Sequence, residues 1–372
     1  MNRMGIGRTK TGLCLAFLAG FPWSTVPAQS NSGGSDPADY SRAENLVRNH
    51  QWDESLELIQ HLLAHDPASY DTGYDLAVAA IQAKEFGTAI ATAKDLIRQG
   101  HDTSELQNIF AEASAATGET NSAIEAYKKA IKLDPQDENN YLDFTSLCID
   151  HRAFEDGMKV ITLGLQIHPK SERMMFMRGV LQASQNEMEL AEKDFQEASL
   201  LAPQQSLGVV GLGSIYLERG HSEEAVRVIR ARLRQKPEDA SLLYLLGENL
   251  MRSGALPGQP AYSQAQAALE KSVKLNPRLC LPHISLGSIY MEEARYADAA
   301  VQFEQARAID PTEKSSYSHL AVAYRRLGQP EKASEALTAL KQVLAQGRVG
   351  GQVKTQIPAE RSPGFDSKSA VP

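Results

Sequence analysis

Apolar residues recur at helical spacing in paired segments along most of the chain. Residues 281–294 (LPHISLGSIYMEEA) and 296–309 (YADAAVQFEQARAI) are one such pair. Apolar side chains three or four residues apart form one face of a helix, so each segment predicts an amphipathic helix. Asp310-Pro311 ends the second segment, because proline disfavours helix in the residue before it. The pair therefore predicts a helical hairpin.

Prolines set the period of this pattern. They stand at positions 67, 135, 169, 203, 237, 277 and 311, with separations of 68, 34, 34, 34, 40 and 34 residues. We call the position of this proline in each unit its slot. His101 occupies the slot between Pro67 and Pro135, and Ala345 occupies the slot after Pro311. Six extra residues precede Pro277. A period of 34 residues then gives nine units between about Ser35 and Gly347.

Two series of small residues test this period independently. Twelve residues before each slot stand Ser55, Ala89, Ala123, Gly157, Ala191, Ala225, Ala265, Ala299 and Ala333. A second series lies twenty-four residues before each slot, or thirty before Pro277 because of the six-residue insertion. It consists of Ala43, Ala77, Ala111, Thr145, Gly179, Gly213, Gly247, Gly287 and Ala321. Small residues at these two positions allow the two helices of each hairpin to cross at close distance.

The period, the small positions and the terminal proline resemble the tetratricopeptide repeat, a family of 34-residue helix-turn-helix units. Residues 211–229 (GLGSIYLERGHSEEAVRVI) and 285–311 (SLGSIYMEEARYADAAVQFEQARAIDP) match its signature closely. Aromatic residues also recur just after the turn, at Trp52, Phe86, Phe154, Tyr262 and Tyr296. The resemblance covers residues 35–347 and implies an all-α fold, a right-handed superhelical solenoid of nine stacked hairpins.

Segments outside the repeats complete the predicted organisation. Arg3, Arg8 and Lys10 precede an apolar run at residues 13–21, and the small residues 26–28 follow, which predicts a secretory signal peptide cleaved after Ala28. The apolar run is too short for a membrane-spanning helix, which needs about 20 residues, although a retained anchor stays an alternative. Residues 29–34 are predicted to be a linker and residues 348–372 a disordered tail.

Composition narrows the function. The formal net charge is −8 and no basic run stands out, so a nucleic-acid partner is not expected. Three cysteines exclude a disulfide scaffold, and Cys148 on an apolar helical face is expected to be a buried free thiol. The signal predicts a periplasmic or secreted protein with no stable membrane insertion after cleavage.

Recognisable catalytic and metal-binding patterns are missing from the sequence. It contains no Cys-x-x-Cys and no His-Glu-x-x-His, so neither a metal nor a cofactor is expected. Gly208, Gly211 and Gly213 could be mistaken for a phosphate-binding loop, but no strand precedes them and Gly213 belongs to the small positions, which favours helix packing. We therefore expect that the protein is not an enzyme.

Three classes of function remain open. The resemblance implies a protein-interaction scaffold, since first helices in this family line a concave groove that holds a peptide or partner protein. The alternatives are a structural or assembly component of envelope biogenesis, secretion or polysaccharide export, and an enzyme with an unrecognised site.

Two positions of each first helix are expected to line that groove, 27 and 23 residues before the slot, or 33 and 29 before Pro277 because of the insertion. The first is mostly apolar or aromatic, and neither contains Lys or Arg. The candidate partner-binding residues are Tyr40, Tyr74, Asn108, Phe176, Tyr244, Glu44, Glu112 and Glu248. Lys and Asn at these positions bind peptide carboxylates in chaperone-binding members, so a partner with an extended apolar or basic segment is expected instead. For Leu142, Val210 and Ile284, packing between repeats is an equal alternative.

Two further features could make contacts of their own. Residues 254–261 (GALPGQPA) predict a projecting loop, either a tolerated insertion or an added partner contact. Leu337, Leu340 and Leu344 form an apolar face on the last predicted helix, for which the tail, a partner or self-association is a candidate cover.

Overall fold

A computed structural model of the protein describes residues 37–354 except residues 50 and 68, and the predicted signal peptide and linker lie outside this part of the chain. The described residues fall into two compact units, 37–170 and 171–354. The N-terminal unit contains α1 (Pro37–Arg48), α2 (Trp52–His65), α3 (Tyr70–Gln82), α4 (Phe86–Arg98), α5 (Ser104–Ala116), α6 (Thr120–Leu133), α7 (Glu138–Asp150) and α8 (Phe154–Ile167). The C-terminal unit contains α9 (Glu172–Ser184), α10 (Met188–Leu201), α11 (Leu207–Arg219), α12 (Ser222–Leu233), α13 (Ala240–Arg252), α14 (Pro260–Leu275), α15 (Cys280–Glu292), α16 (Tyr296–Ile309), α17 (Lys314–Arg326) and α18 (Pro330–Lys354).

The helices form the nine hairpins that the period predicts. Odd-numbered helices are the first of each hairpin and even-numbered helices the second, and consecutive helices contact one another within each unit. Most second helices end two residues before a slot, as α16 does before Pro311. The described residues contain helices and turns but no strand. The all-helical repeat solenoid is confirmed.

Both series of small residues are buried at the helix crossings. Ala89, Ala191 and Ala225 are fully buried, and Gly287 would place an added Cβ 2.6 Å from the Phe303 ring. Gly208 and Gly211 pack in the same way, since an added Cβ at Gly208 would lie 2.7 Å from the carbonyl oxygen of Phe195. The glycine run is therefore part of helix α11 and serves close packing.

In the hairpins from α3–α4 to α17–α18, the turn between the two helices has a left-handed residue at one position. Glycine occupies it at Gly118, Gly220, Gly254 and Gly328, but Lys84, Arg152, Asn186 and Ala294 adopt the same positive φ. Side chains other than glycine are strained there. This left-handed position was not predicted from the sequence.

Within each unit, the first helices lie on the inner side of the curve. Helix α5 contacts α3 and α7, and α11 contacts α9 and α13, whereas successive second helices make at most marginal contacts in the described residues. A row of hairpins that is closer on one side must curve towards that side. The first helices therefore face the concave side of each unit.

The inserted segment and the last helix differ in detail from expectation. The loop spans residues 253–259, because α14 begins at Pro260, a residue well suited to the first helical turn.

Helix α18 continues to Lys354, seven residues past the predicted end of the array, and no proline interrupts the chain there before Pro358. Leu337 and Leu340 are half-buried and Leu344 is exposed, so what covers this face stays a prediction.

Candidate functional site

The concave side of the N-terminal unit carries an aromatic pair. Tyr74 and Tyr70 on α3 stack with ring centroids 6.0 Å apart, and Tyr70 lies 4.7 Å from the ring of His101. Tyr74 and Tyr40 are both half-buried, and both pack on the core of this unit. Each therefore keeps an accessible edge next to a rigid apolar base.

Acidic groups surround this aromatic pair. Burial, and secondarily the negative charge of Glu105 and the neighbouring Tyr70 and Asp75, raise the pKa of the Tyr74 hydroxyl to about 12. Burial is the larger cause of this shift, and the carboxylates of Glu105 and Asp75 add to it, so acidic groups lie near the Tyr74 hydroxyl. A ligand with a positive charge would be favoured at this surface.

A polar network joins the next two first helices. Asn108 on α5 is buried, and its Nδ2 donates to Asn140 Oδ1 at 3.1 Å and to Asp143 Oδ2 at 3.0 Å on α7. One turn further along α5, burial and the charge of Asp143 raise the pKa of Glu112 to about 7. The network fixes two adjacent concave helices to each other.

Two candidate residues of the C-terminal unit are buried in the helix packing instead. Phe176 is 3% exposed, with its ring centroid 5.3 Å from that of Phe195, and Tyr244 is 9% exposed. Asn108, at 2% exposed, is likewise a packing residue. Phe176, Tyr244 and Asn108 therefore do not belong to the open groove surface that was expected from the sequence, because residues on the neighbouring helices cover them.

The remaining candidates differ in accessibility. Glu248 is half-buried, accepts a hydrogen bond from the Ser285 hydroxyl, and lies 4.0 Å from Arg252. Leu142 and Val210 are buried, as the packing alternative proposed, whereas Ile284 is half-buried. The side chain of Glu44 lies outside the described part of the structure.

Asn140 and Asp143, the partners of Asn108, were not predicted from the sequence. Polar residues recur in the first helices of these two adjacent repeats, which is the only sequence feature that indicates the network. Which of them pair is known only from the contacts between the repeats. The candidate site therefore consists of Tyr70 and Tyr74 on α3, together with Glu112 and the Asn108 network on the neighbouring first helix α5.

Other predicted features can be located directly. Cys148 is a buried thiol, as expected, with a pKa raised to about 12 by burial, and neither Cys148 nor Cys280 forms a disulfide within the described residues. Metal-ligand side chains do not cluster in groups of three or more within the described ranges. No helix of the described part is long and apolar enough to cross a membrane.

These features define a class of protein, a solenoid of helical hairpins with an inner face available for contacts. Models of the tetratricopeptide repeat match residues 46–112, 104–137, 210–273 and 290–352, more than half of the chain. The chain belongs to the tetratricopeptide repeat family, whose repeats form scaffolds for protein–protein interaction. None of the curated protein sequences compared with the chain matches it.

The chain is similar to several solved structures at low sequence identity. A tetratricopeptide repeat protein from Parabacteroides merdae is 16% identical with a TM-score of 0.53, and the match covers 68% of this chain and 98% of that chain. The APC/C hetero-tetramer Cut9-Hcn1 contains a chain that is 16% identical with a TM-score of 0.47, over 78% of this chain and 56% of that longer chain. MamA is 17% identical with a TM-score of 0.38, over 46% of this chain and 96% of that chain.

Proposed function

We propose that the protein is a non-catalytic interaction scaffold outside the cytoplasm, which binds an extended peptide segment or partner loop on the concave face of its N-terminal unit. The observation that supports this proposal is the stacked pair Tyr70 and Tyr74, with the carboxylates of Glu105 and Asp75 nearby. Tyrosines on a rigid base supply contact area with little loss of side-chain entropy, as at known binding hot spots.

The same surroundings favour a basic segment with apolar residues. Glu105 and Glu112 place carboxyl groups on α5, the first helix of the hairpin that follows the one with the tyrosines, and the two groove positions contain no Lys or Arg. A ligand that brings positive charge and hydrogen-bond donors to this face would match these carboxyl groups.

The proposed location rests on the three-part sequence of residues 1–28. N-terminal sequencing of the natural protein tests it. The mature chain should begin near Gln29, and an intact Met1 on a cytoplasmic pool would contradict the proposal.

Selection from a displayed random-peptide library tests the binding face. The full chain is the bait, and a folded Tyr74→Ala/Glu112→Gln variant is used for counter-selection. We expect the recovered peptides to combine Lys or Arg with aromatic or aliphatic residues and to lose at least tenfold in affinity for the variant.

A matched control separates this face from the outer surface. Leu200 on α10 is 79% exposed, so Leu200→Ala removes apolar surface without disturbing α3 or α5. Its affinity should equal that of the unmodified chain. Peptides that are acidic, or that bind the Tyr74→Ala/Glu112→Gln variant equally well, would place the binding face elsewhere.

A further inference from the structure

A surface cavity of about 450 Å³ lies against α12 in the C-terminal unit. Its lining comes from α12, the end of α13 and Ser253, the first residue of the inserted loop. Its volume falls within the range typical of ligand pockets. The cavity is on a second helix, so it is separate from the concave face discussed above.

Two departures from the repeat border this cavity. Helix α12 ends at Leu233, four residues before Pro237, whereas α10 and α16 end two residues before their prolines. The hairpin turn that follows α13 is lengthened by the insertion at residues 253–259. The irregular repeat therefore leaves space where regular repeats would continue their packing.

Three arginines of α12 line the cavity on one helical face. Arg227, Arg230 and Arg234 are three and four residues apart, which brings their side chains to the same side of the helix. All three are exposed, and within the described residues none lies within 4.0 Å of a carboxylate. Arg230 Nη2 donates to Gln264 Oε1 at 2.5 Å. Other arginines of this unit are paired, for example Arg219 with Glu192 at 2.6 Å.

Helix stabilisation alone does not explain this arrangement. Cations near a helix C-terminus interact favourably with its dipole, which accounts for Arg230 and Arg234 but not for Arg227 in the middle of α12. Glu223 also lines the cavity, so three cations face one anion in a chain of net charge −8. The lining is therefore a local positive site on an acidic protein.

The floor of the cavity is apolar. Val226 and Leu250 are 8% and 6% exposed, and they lie beside the arginines. A simple anion would be held by the arginines but would make no use of this floor. A ligand that fills the cavity would bring an apolar group together with its negative charges.

We propose that this cavity binds an acidic peptide segment of a partner protein, with carboxylates on both sides of an apolar residue. The guanidinium fork matches a carboxylate with two parallel hydrogen bonds. Arg227 and Arg234 are separated by about 10 Å along the helix, a span that requires more than one carboxylate. Charge complementarity between this site and an acidic segment carries the assignment.

Fluorescence anisotropy with synthetic probes tests the proposal on the full chain. The probe is a labelled Glu-Glu-Leu-Glu-Glu peptide, compared with Gln-Gln-Leu-Gln-Gln and Glu-Glu-Ser-Glu-Glu. We expect the first to bind at least tenfold more tightly than either of the others. Equal binding of the serine peptide, or displacement by inorganic phosphate at similar concentration, would show a simple anion site and overturn the proposal.

Charge-matched variants locate the binding. Arg227→Gln/Arg230→Gln/Arg234→Gln should abolish binding of the probe, whereas Arg278→Gln/Arg325→Gln/Arg326→Gln removes the same charge from exposed arginines of the same unit and should preserve it. Equal losses in both variants would mean non-specific attraction, and absence of binding to the unmodified chain would refute the site.

A second pair of variants tests the cavity without removing arginines. Ala231→Glu places a carboxylate on the exposed lining and should weaken binding at least tenfold. Ala297→Glu, at an exposed position of α16 outside the cavity, should have no effect. Tyr74→Ala should leave probe binding unchanged, so failure of this proposal and failure of the concave-face proposal give different results.

Discussion

Arg178 on α9 and Asp194 on α10 form a two-pronged ion pair inside one hairpin. Arg178 Nε lies 2.7 Å from Asp194 Oδ2, and Arg178 Nη2 lies 2.7 Å from Asp194 Oδ1. Asp194 is only 3% exposed, and the hydrogen bond with it raises the pKa of Arg178. The two helices are thus joined by a charge-assisted contact at a position where other repeats have a large apolar residue, such as Leu212 or Leu246.

Removal of the arginine alone should destabilise this hairpin. Arg178→Ala leaves the Asp194 carboxylate buried without its partner, and we expect a loss of about 3 kcal/mol in the free energy of unfolding. The double variant Arg178→Leu/Asp194→Leu should recover most of that loss, because it buries no charge. Urea unfolding of the three proteins gives the comparison, and a double variant as unstable as Arg178→Ala would show that the charge was not the cause.

Much of the fold follows from local sequence, and much of the site does not. The hairpins and crossings were predictable because Ala191 and Gly213 recur at fixed spacing. The burial of Phe176 was not, because it depends on neighbours. Phe195 fits between Gly179 and Gly211, and its ring then covers Phe176. Which groove positions stay open is therefore decided by side-chain volumes on adjacent helices.

Enlarging a fully buried alanine tests the helix crossings. Ala191, Ala225 and Ala299 are completely buried between the helices of their hairpins. Replacing any one by leucine should overpack the crossing and reduce the free energy of unfolding by roughly 1–3 kcal/mol. Thermal melts measure the effect, with Ala297→Leu at an exposed position of α16 as the control. Three neutral substitutions would show that the assigned register is incorrect.

Glycine should stabilise a turn that now holds a strained residue. Ala294 has φ of 58°, and Gly328 has φ of 70° at the equivalent position of the next hairpin. Ala294→Gly relieves the left-handed conformation and should stabilise the chain by roughly 0.5–1 kcal/mol, whereas Gly328→Ala should destabilise it by a similar amount. Melting temperatures of the two variants should move in opposite directions. A shift of both in the same direction would contradict this explanation.

The carboxyl group of Glu112 should make stability depend on pH. Burial, followed by the charge of Asp143, raises its pKa from 4.5 to about 7. Between these values the folded chain binds more protons at this group than the unfolded chain, so the free energy of unfolding falls as the pH rises.

The loss should be complete above about pH 7 and amount to at most about 3 kcal/mol. Glu112→Gln removes the group, so the variant should gain stability relative to the unmodified chain at pH 8 but little at pH 4.5. The measurement is the free energy of unfolding of the unmodified chain and of Glu112→Gln as a function of pH. The difference between the two isolates Glu112 from other titrating groups, including Asp143 and the buried Tyr127, which faces both carboxyl groups. Glu105→Gln on the exposed side of α5 controls for net charge. A difference that is constant across this pH range would mean that folding does not raise the pKa of Glu112, and its carboxyl group would then be ionised on the proposed concave face at neutral pH.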